Sequence, residues 1–219
     1  MVRLQRPFIK LTLSNIYIFI FKLFRPNRMH NLARLFNLSA EHRVLDVGGT
    51  EFNWTLIPIQ PELFLLNISG PNNEHGKVHK WIIADGRHLP FEANSFDIVF
   101  SNSVIEHLSN FENQALFARE VRRVGRQYFV QTPNKYFPIE PHYLTPFIHW
   151  LPPWFRTRLV RNFTIHGLFV RPNRQECEQM VEEIRLLNIE DMKILFPNAN
   201  IHQERFLGVT KSIIATSIS

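Results

Sequence analysis

The chain has a single cysteine, Cys177, among its 219 residues. No internal disulfide can form, cysteine-rich metal sites are excluded, and a reducing compartment such as the cytoplasm is the natural setting. Long apolar runs are lacking too. The stretch over residues 8–24 is broken by Lys10, Asn15 and Lys22, and a spanning helix needs about 20 predominantly apolar residues. No small-residue cleavage site follows it, since Phe24-Arg25-Pro26 stands there, so no cleaved leader is expected. Acidic residues are in deficit, 19 against 25 Lys and Arg, for a net charge of +6. That balance favours contact with phosphate, nucleic acid or an acidic membrane, or marks only a basic solvated face.

With 45% hydrophobic residues, a chain of this length can bury one core, and a single domain over 1–219 is expected. The informative stretch is R-V-L-D-V-G-G-T-E-F-N-W, Arg43 to Trp54. Val44, Leu45 and Val47 form an apolar run ending in Gly48-Gly49, the pattern of a buried strand opening into a loop whose main chain approaches something closely. Asp46, near the strand's end, can hold that loop or reach a cation or hydroxyl at the carboxyl edge of a parallel sheet. Further runs follow at Leu63–Ile68, at Trp81–Ala84 before Asp85-Gly86, and at Phe96–Phe100 before Ser101-Asn102. Each delivers a polar residue at its end. Phe111–Val124 reads as an amphipathic helix with Ala115, Ala118, Val121 and Val124 inward and Arg119, Glu120, Arg122 and Arg123 outward.

Taken together, V-L-D-V-G-G, A-D-G-R-H-L-P-F and N-S-F-D-I-V-F-S-N-S-V-I-E-H-L resemble the class I S-adenosylmethionine-dependent methyltransferases, in particular the ubiquinone and menaquinone methyltransferase type. The resemblance is best over residues 40–135 and implies an α/β, Rossmann-like, seven-stranded, mostly parallel sheet with an antiparallel last strand and helices on both faces. It implies S-adenosylmethionine as cofactor, bound by Asp46, Gly48, Gly49, Asn67, Asp85, Gly86, Ser101 and Asn102. Asn67 stands where relatives place an acid on the ribose hydroxyls, and Thr50 and Phe52 stand where related loops carry further glycines. Asp85 takes the position that accepts from the adenine amino group. His107 of Glu106-His107 falls where a general base can face methyl transfer, or where a histidine merely caps or packs. Some relatives bind a divalent metal through a carboxylate three residues before this pair; Ser103 occupies that place, so no metal is expected.

Residues 133–172 interrupt the alternation with prolines and aromatics, a cap insertion after the fifth strand. Within it Glu140 and His142 form a candidate acid/base pair, or simply part of an apolar cap with a basic rim. At the N-terminus, residues 1–38 read as a helical extension. Ile9, Leu13, Ile16, Ile20 and Leu23 fall on one stripe, leaving three readings: a lid over the pocket, an interfacial helix on an anionic membrane, or a span. Pro26 is expected to end that helix, with a second over Met29–Phe36. Near the C-terminus, a helix over Pro172–Leu187 and two strands over Met192–Phe196 and Phe206–Thr216 are expected. The acceptor is expected to be a small or lipid-linked molecule, in a cytoplasmic protein or one peripheral to the inner face of a membrane. A base-modifying nucleic-acid enzyme would favour an Asn-Pro-Pro-aromatic motif, which Ser101-Asn102-Ser103-Val104 lacks, so nucleic acid is not an expected partner. A non-catalytic scaffold with the same fold is the alternative.

Overall fold

The computed structural model describes residues 24–70 and 80–218. Its strands are β1 (Arg43–Val47), β2 (Glu62–Asn67), β3 (Lys80–Ile83), β4 (Phe96–Asn102), β5 (Gly125–Pro133), the short pair β6 (Ile139–Glu140) and β7 (Thr145–Pro146), then β8 (Asn200–Phe206) and β9 (Val209–Thr216). Seven of them form one sheet in the order β3-β2-β1-β4-β5-β9-β8. The pairs from β3 to β5 are parallel, and β9 is antiparallel to both β5 and β8. The strand order reverses between β1 and β4, and in open α/β sheets ligands bind at such a reversal, outside the carboxyl ends of the strands.

The apolar runs are continuous because this sheet is buried on both faces. Successive residues alternate between two core clusters: Leu45, Val47, Val99, Val130 and Ile213 enter one, and Val44, Ile98, Phe100, Phe129 and Ile214 the other. The first cluster is covered by α3 (Phe111–Val124) through Phe117, Ala118 and Val121. The second is covered by α1, a helix over residues 24–35, through Met29 and Leu32, and by Trp54 at the end of the four-residue α2 (Glu51–Trp54). Each such side chain contributes roughly 1.5–3 kcal/mol on full burial. The cap and the following helices, α4 (Pro153–Phe163), α5 (Ile165–Val170) and α6 (Arg174–Glu183), share a smaller core of Tyr143, Ile148, Val160, Cys177 and Val181.

Four local expectations are corrected. Pro26 lies within α1, which is continuous from residue 24 to 35, so no break separates it from Met29; the helix expected before it lies outside the described residues. Glu120, expected outward, is buried and accepts from the Leu89 N–H at 2.9 Å while pairing with Arg123. Arg123 in turn donates to the carbonyls of Leu89 and Phe91, so helix and L-P-F turn are tied by one ion pair. The helix expected over Pro172–Leu187 is the shorter α6, started by the Asn173–Glu176 capping box. The strand expected at Met192–Phe196 is a helix, α7 (Ile189–Leu195), because Asn188 and Asp191 form a second capping box and Met192 and Leu195 face the core. The partner strand therefore starts at Asn200, and Leu207-Gly208, with φ of 50° and 81°, make the tight turn into β9.

Residues 1–23, with all but the last residue of the apolar N-terminal stretch, and the connection 71–79 lie outside the described residues. Among the described residues no helix is long and apolar enough to cross a membrane. Asn188→Ala should lower stability by about 1 kcal/mol in urea denaturation through loss of the cap; an unchanged midpoint would refute the role given to the capping box.

Candidate active site

A hollow of about 270 Å³ opens at the carboxyl ends of β1 to β4, lined by Gly48, Asn67, Asp85, Gly86, Val104 and His107, with Phe117 and Leu108 as apolar walls. Gly48 has φ +76°, a conformation open chiefly to glycine, and its N–H donates to the Leu66 carbonyl at 2.7 Å. A Cβ there would stand 2.5 Å from the Val104 side chain, so this glycine is packed by protein as well as facing the hollow. At the end of β2, the Asn67 side-chain oxygen accepts from the Ile68 N–H at 2.8 Å. Asp85 accepts from the Arg87 main-chain N–H and pairs with its guanidinium at 2.6 Å. The Arg87 hydrogen bond is the main reason that the Asp85 carboxyl is held below its ordinary range and remains ionised.

Four residues that the resemblance assigned to the cofactor sit elsewhere. Asp46 is fully buried beneath the loop, where the Trp54 indole N–H donates to Oδ2 at 2.8 Å and Oδ1 has no hydrogen-bond partner among the described residues. Gly49 is needed to admit that carboxylate: a Cβ would fall 1.9 Å from Asp46 Cγ. Ser101 is buried and spends its hydroxyl on the Val47 carbonyl at 3.0 Å. Asn102 accepts from Arg28, which also donates to Gln131 at 2.9 Å and pairs bidentately with Glu204. Arg28 is only 4% exposed, and nothing in the local pattern of α1 marks it as a hub. Ser103, at φ 57°, donates through its hydroxyl to the same Gln131 oxygen.

The candidate acid/base residues meet. Glu140 is 1% exposed; Oε1 holds His142 Nδ1 at 2.6 Å and Oε2 accepts the Tyr143 N–H. His142 Nε2 stands 3.2 Å from His107 Nε2, with the rings edge to face. Residues 35 apart in sequence are thus joined by the cap folding over the carboxyl end of β4. His107 is exposed at its rim, yet the crowding around it and the His142 charge push its pKa down to about 4. Burial alone would lower the His142 pKa, but the Glu140 hydrogen bond and the charges of Glu140 and Glu106 outweigh it and hold the pKa above the ordinary value. A third group was not foreseen as part of this cluster. Glu106 is fully buried, accepts from the Thr132 hydroxyl at 3.0 Å and leaves Oε1 without a hydrogen-bond partner among the described residues, and burial pushes its pKa up to about 7. One ligand atom each from Glu106, His107 and His142 lie within 4.8 Å of one another, so these residues could hold a divalent ion. The expectation of no metal rested on Ser103, whereas the third donor here comes from the cap.

Comparison with known proteins adds the following. A family profile described as a methyltransferase domain matches residues 57–128, from before β2 into β5. A comparison with curated protein sequences finds no match. Among solved structures, a Burkholderia thailandensis 1,6-didemethyltoxoflavin-N1-methyltransferase, with bound 1,6-didemethyltoxoflavin and S-adenosylhomocysteine, aligns over 97% of this chain and 85% of its own at 11% identity, TM-score 0.57. A chain described as a methyltransferase in the Haloferax volcanii complex with the Trm112 methyltransferase activator aligns over 100% and 99% at 11% identity, TM-score 0.56. The [4+2]-cyclase SpnF aligns over 51% of this chain and 46% of its own, at 18% identity and TM-score 0.43, so the match spans about half of that protein. The chain thus matches a methyltransferase-domain profile over residues 57–128 and shares the Rossmann-like fold of these solved methyltransferase structures.

Buried Asp46 gives the site a pH-dependent cost. Burial raises its pKa from 3.8 to about 7, the Trp54 hydrogen bond and Arg25 offsetting part of the rise. The folded state therefore binds this proton more tightly than the unfolded chain. Its contribution is full below pH 3.8, declines as pH rises through about 7, and ends about 4 kcal/mol lower. Asp46→Asn should flatten the fall in urea midpoint between pH 5 and 8 relative to wild type; parallel curves would show that Asp46 titrates normally.

Proposed function

From the profile match and the fold just described, we propose that the protein transfers a methyl group from S-adenosylmethionine to a small-molecule or lipid-linked acceptor by in-line displacement. The hollow at the strand reversal carries this reading, because Gly48, Asn67, Asp85 and Gly86 all line it. Its polar groups suit a nucleoside. Asp85 remains ionised and a carboxylate has about four acceptor positions, so Arg87 leaves capacity for an adenine amino group. Asn67 keeps a second lone pair on its carbonyl oxygen and two N–H donors for ribose hydroxyls, without the charge assistance of an acid. Phe117 and Leu108 supply flat apolar walls.

When bound, the cofactor supplies a methyl group already activated by a positively charged sulfur. The chain's task is then to align the acceptor and exclude water. His107 faces the hollow and His142 stands behind it, oriented by Glu140. In this reading His107 takes a proton from the acceptor, the Glu140 charge favouring the proton it gains and burial and the His142 charge opposing it. The reading needs no metal. Kinship with the ubiquinone and menaquinone methyltransferase type is the finer reading that the motif resemblance supports, and it leaves the acceptor unnamed.

The packing of Val104 on Gly48 and of Asp46 on Gly49 favours one competing reading, a fold kept as a scaffold without catalysis. Isothermal titration with S-adenosylhomocysteine separates them: micromolar binding is expected, at least tenfold weaker in Asp85→Ala, and no heat of binding would leave the scaffold. In a labelled-donor assay, His107→Gln should lower kcat by roughly 10²-fold or more with cofactor affinity unchanged. Chelator dialysis should leave wild-type activity intact; loss restored by one divalent metal would transfer the role of Glu106, His107 and His142 to an ion.

Approach to a membrane is part of the same reading. The cap exposes Trp154 and Phe163 beside Arg158 and Arg161, and no acidic residue lies between Glu140 and Glu176. The basic N-terminal stretch over residues 8–24 adds to it. Co-sedimentation with vesicles rich in anionic lipid, weakened by salt and absent with neutral vesicles, is expected; equal recovery in the supernatant of both would remove membrane contact from the proposal.

A further inference from the structure

A second hollow, of about 230 Å³, lies between α1, the carboxyl end of β5, the cap hairpin and the start of β9. Phe24, Phe137, Ile139, Leu144 and Phe206 make its walls mostly apolar. Three cations, Arg25, Arg28 and Lys211, also line it. An apolar cavity with this many positive groups is costly to fold unless the charges are answered.

Arg28 is answered by Glu204, Asn102 and Gln131. Arg25 donates to Asn53 at 3.1 Å. Lys211 forms no ion pair among the described residues, and its ammonium stands 3.8 Å from the centroid of the Phe24 ring. Burial lowers its pKa to about 8, the charges of Arg28 and Arg25 adding to the effect and Glu204 opposing it. It therefore remains largely protonated at neutral pH. The segment that precedes Phe24 cannot supply the missing charge, because residues 1–23 contain no aspartate or glutamate.

Ser103 lines both this hollow and the one assigned to the cofactor. The two hollows therefore meet at Ser103, and a ligand here adjoins the space in which methyl transfer would occur. We propose that this hollow is the acceptor pocket, and that the acceptor is an apolar molecule with an anionic head, a carboxylate or phosphate, paired with Lys211 beside Arg25 and Arg28. An anion alone would leave the aromatic and aliphatic walls wet, and a neutral apolar ligand would strip water from Lys211 without replacing it. The volume holds about eight water-sized atoms, enough for the head and first carbons of a longer body. Half-exposed Ile139 and Phe206 mark its rim, where that body would leave. The term acceptor rests on the methyl-transfer reading; the anion site does not.

The test is isothermal titration of the full chain with octanoate, octyl phosphate and methyl octanoate. At least one anion should bind ten times or more tightly than the neutral ester, and the ratio of the two anions distinguishes a carboxylate from a phosphate head. Lys211→Met keeps the unbranched stem and should bring anion and ester within twofold of each other. Should Lys211→Met not fold, Lys211→Gln is read the same way. Equal affinity of wild type for ester and anions, or a variant that keeps the preference, overturns the proposal. S-adenosylhomocysteine is titrated separately. If it fails to bind while the anion preference stands, the methyl-transfer reading falls and the anion site remains. If it binds without any anion preference, only the present proposal falls.

Discussion

A guanidinium cannot shed its proton in a protein, so one buried to 4% exposure must have its N–H donors met by acceptors. Arg28 does this with residues from three strands: Asn102 at the end of β4, Gln131 on β5 and Glu204 on β8. That set fixes where α1 crosses the carboxyl edge of the sheet. It also holds the edge shared by the two hollows, since Gln131 accepts from both Arg28 and Ser103, and Ser103 faces both spaces. Replacing Arg28 by an apolar side chain would leave Glu204 without its partner, the more expensive half of a broken buried pair.

The second organising feature is that the cap contributes chemistry as well as cover. Its β6–β7 hairpin presents Glu140 and His142 to His107, while Tyr143 and Ile148 from the same segment pack on Val160, Cys177 and Val181. The histidine pair is therefore held by a core of its own. Glu106 lies beneath, with an unmatched oxygen and a carboxyl that burial keeps readily protonated. Asp46 shows the same feature on the far side of the glycine loop. Two buried, incompletely paired carboxyls next to a ligand-sized hollow follow the common pattern in which perturbed groups gather at functional sites.

The sequence by itself determined the strands β1 to β4 and the long helix. Apolar runs such as Val44–Val47 and Phe96–Phe100, and the helical spacing from Phe111 to Val124, are local signals, and burial on both faces of a parallel sheet writes them directly into the chain. It also indicated Gly48, Asn67, Asp85 and Gly86 as neighbours, because each follows a strand that ends at the same edge. Two capping boxes were legible in principle as Asn173–Glu176 and Asn188–Asp191, and the second would have turned Met192–Phe196 from a strand into a helix.

Tertiary structure decided which polar groups meet. Arg28 finds Glu204 across 176 positions, His142 finds His107 across 35, and Glu120 turns inward to hold the Leu89 main chain. It also decided that Asp46, Gly49, Ser101 and Asn102 serve the packing beneath the loop and the Arg28 set instead of lining the hollow at the strand reversal. The reason is physical. Periodicity reports which face of an element is buried, but a buried polar side chain is placed by the partner that satisfies it, and that partner comes from a distant part of the chain.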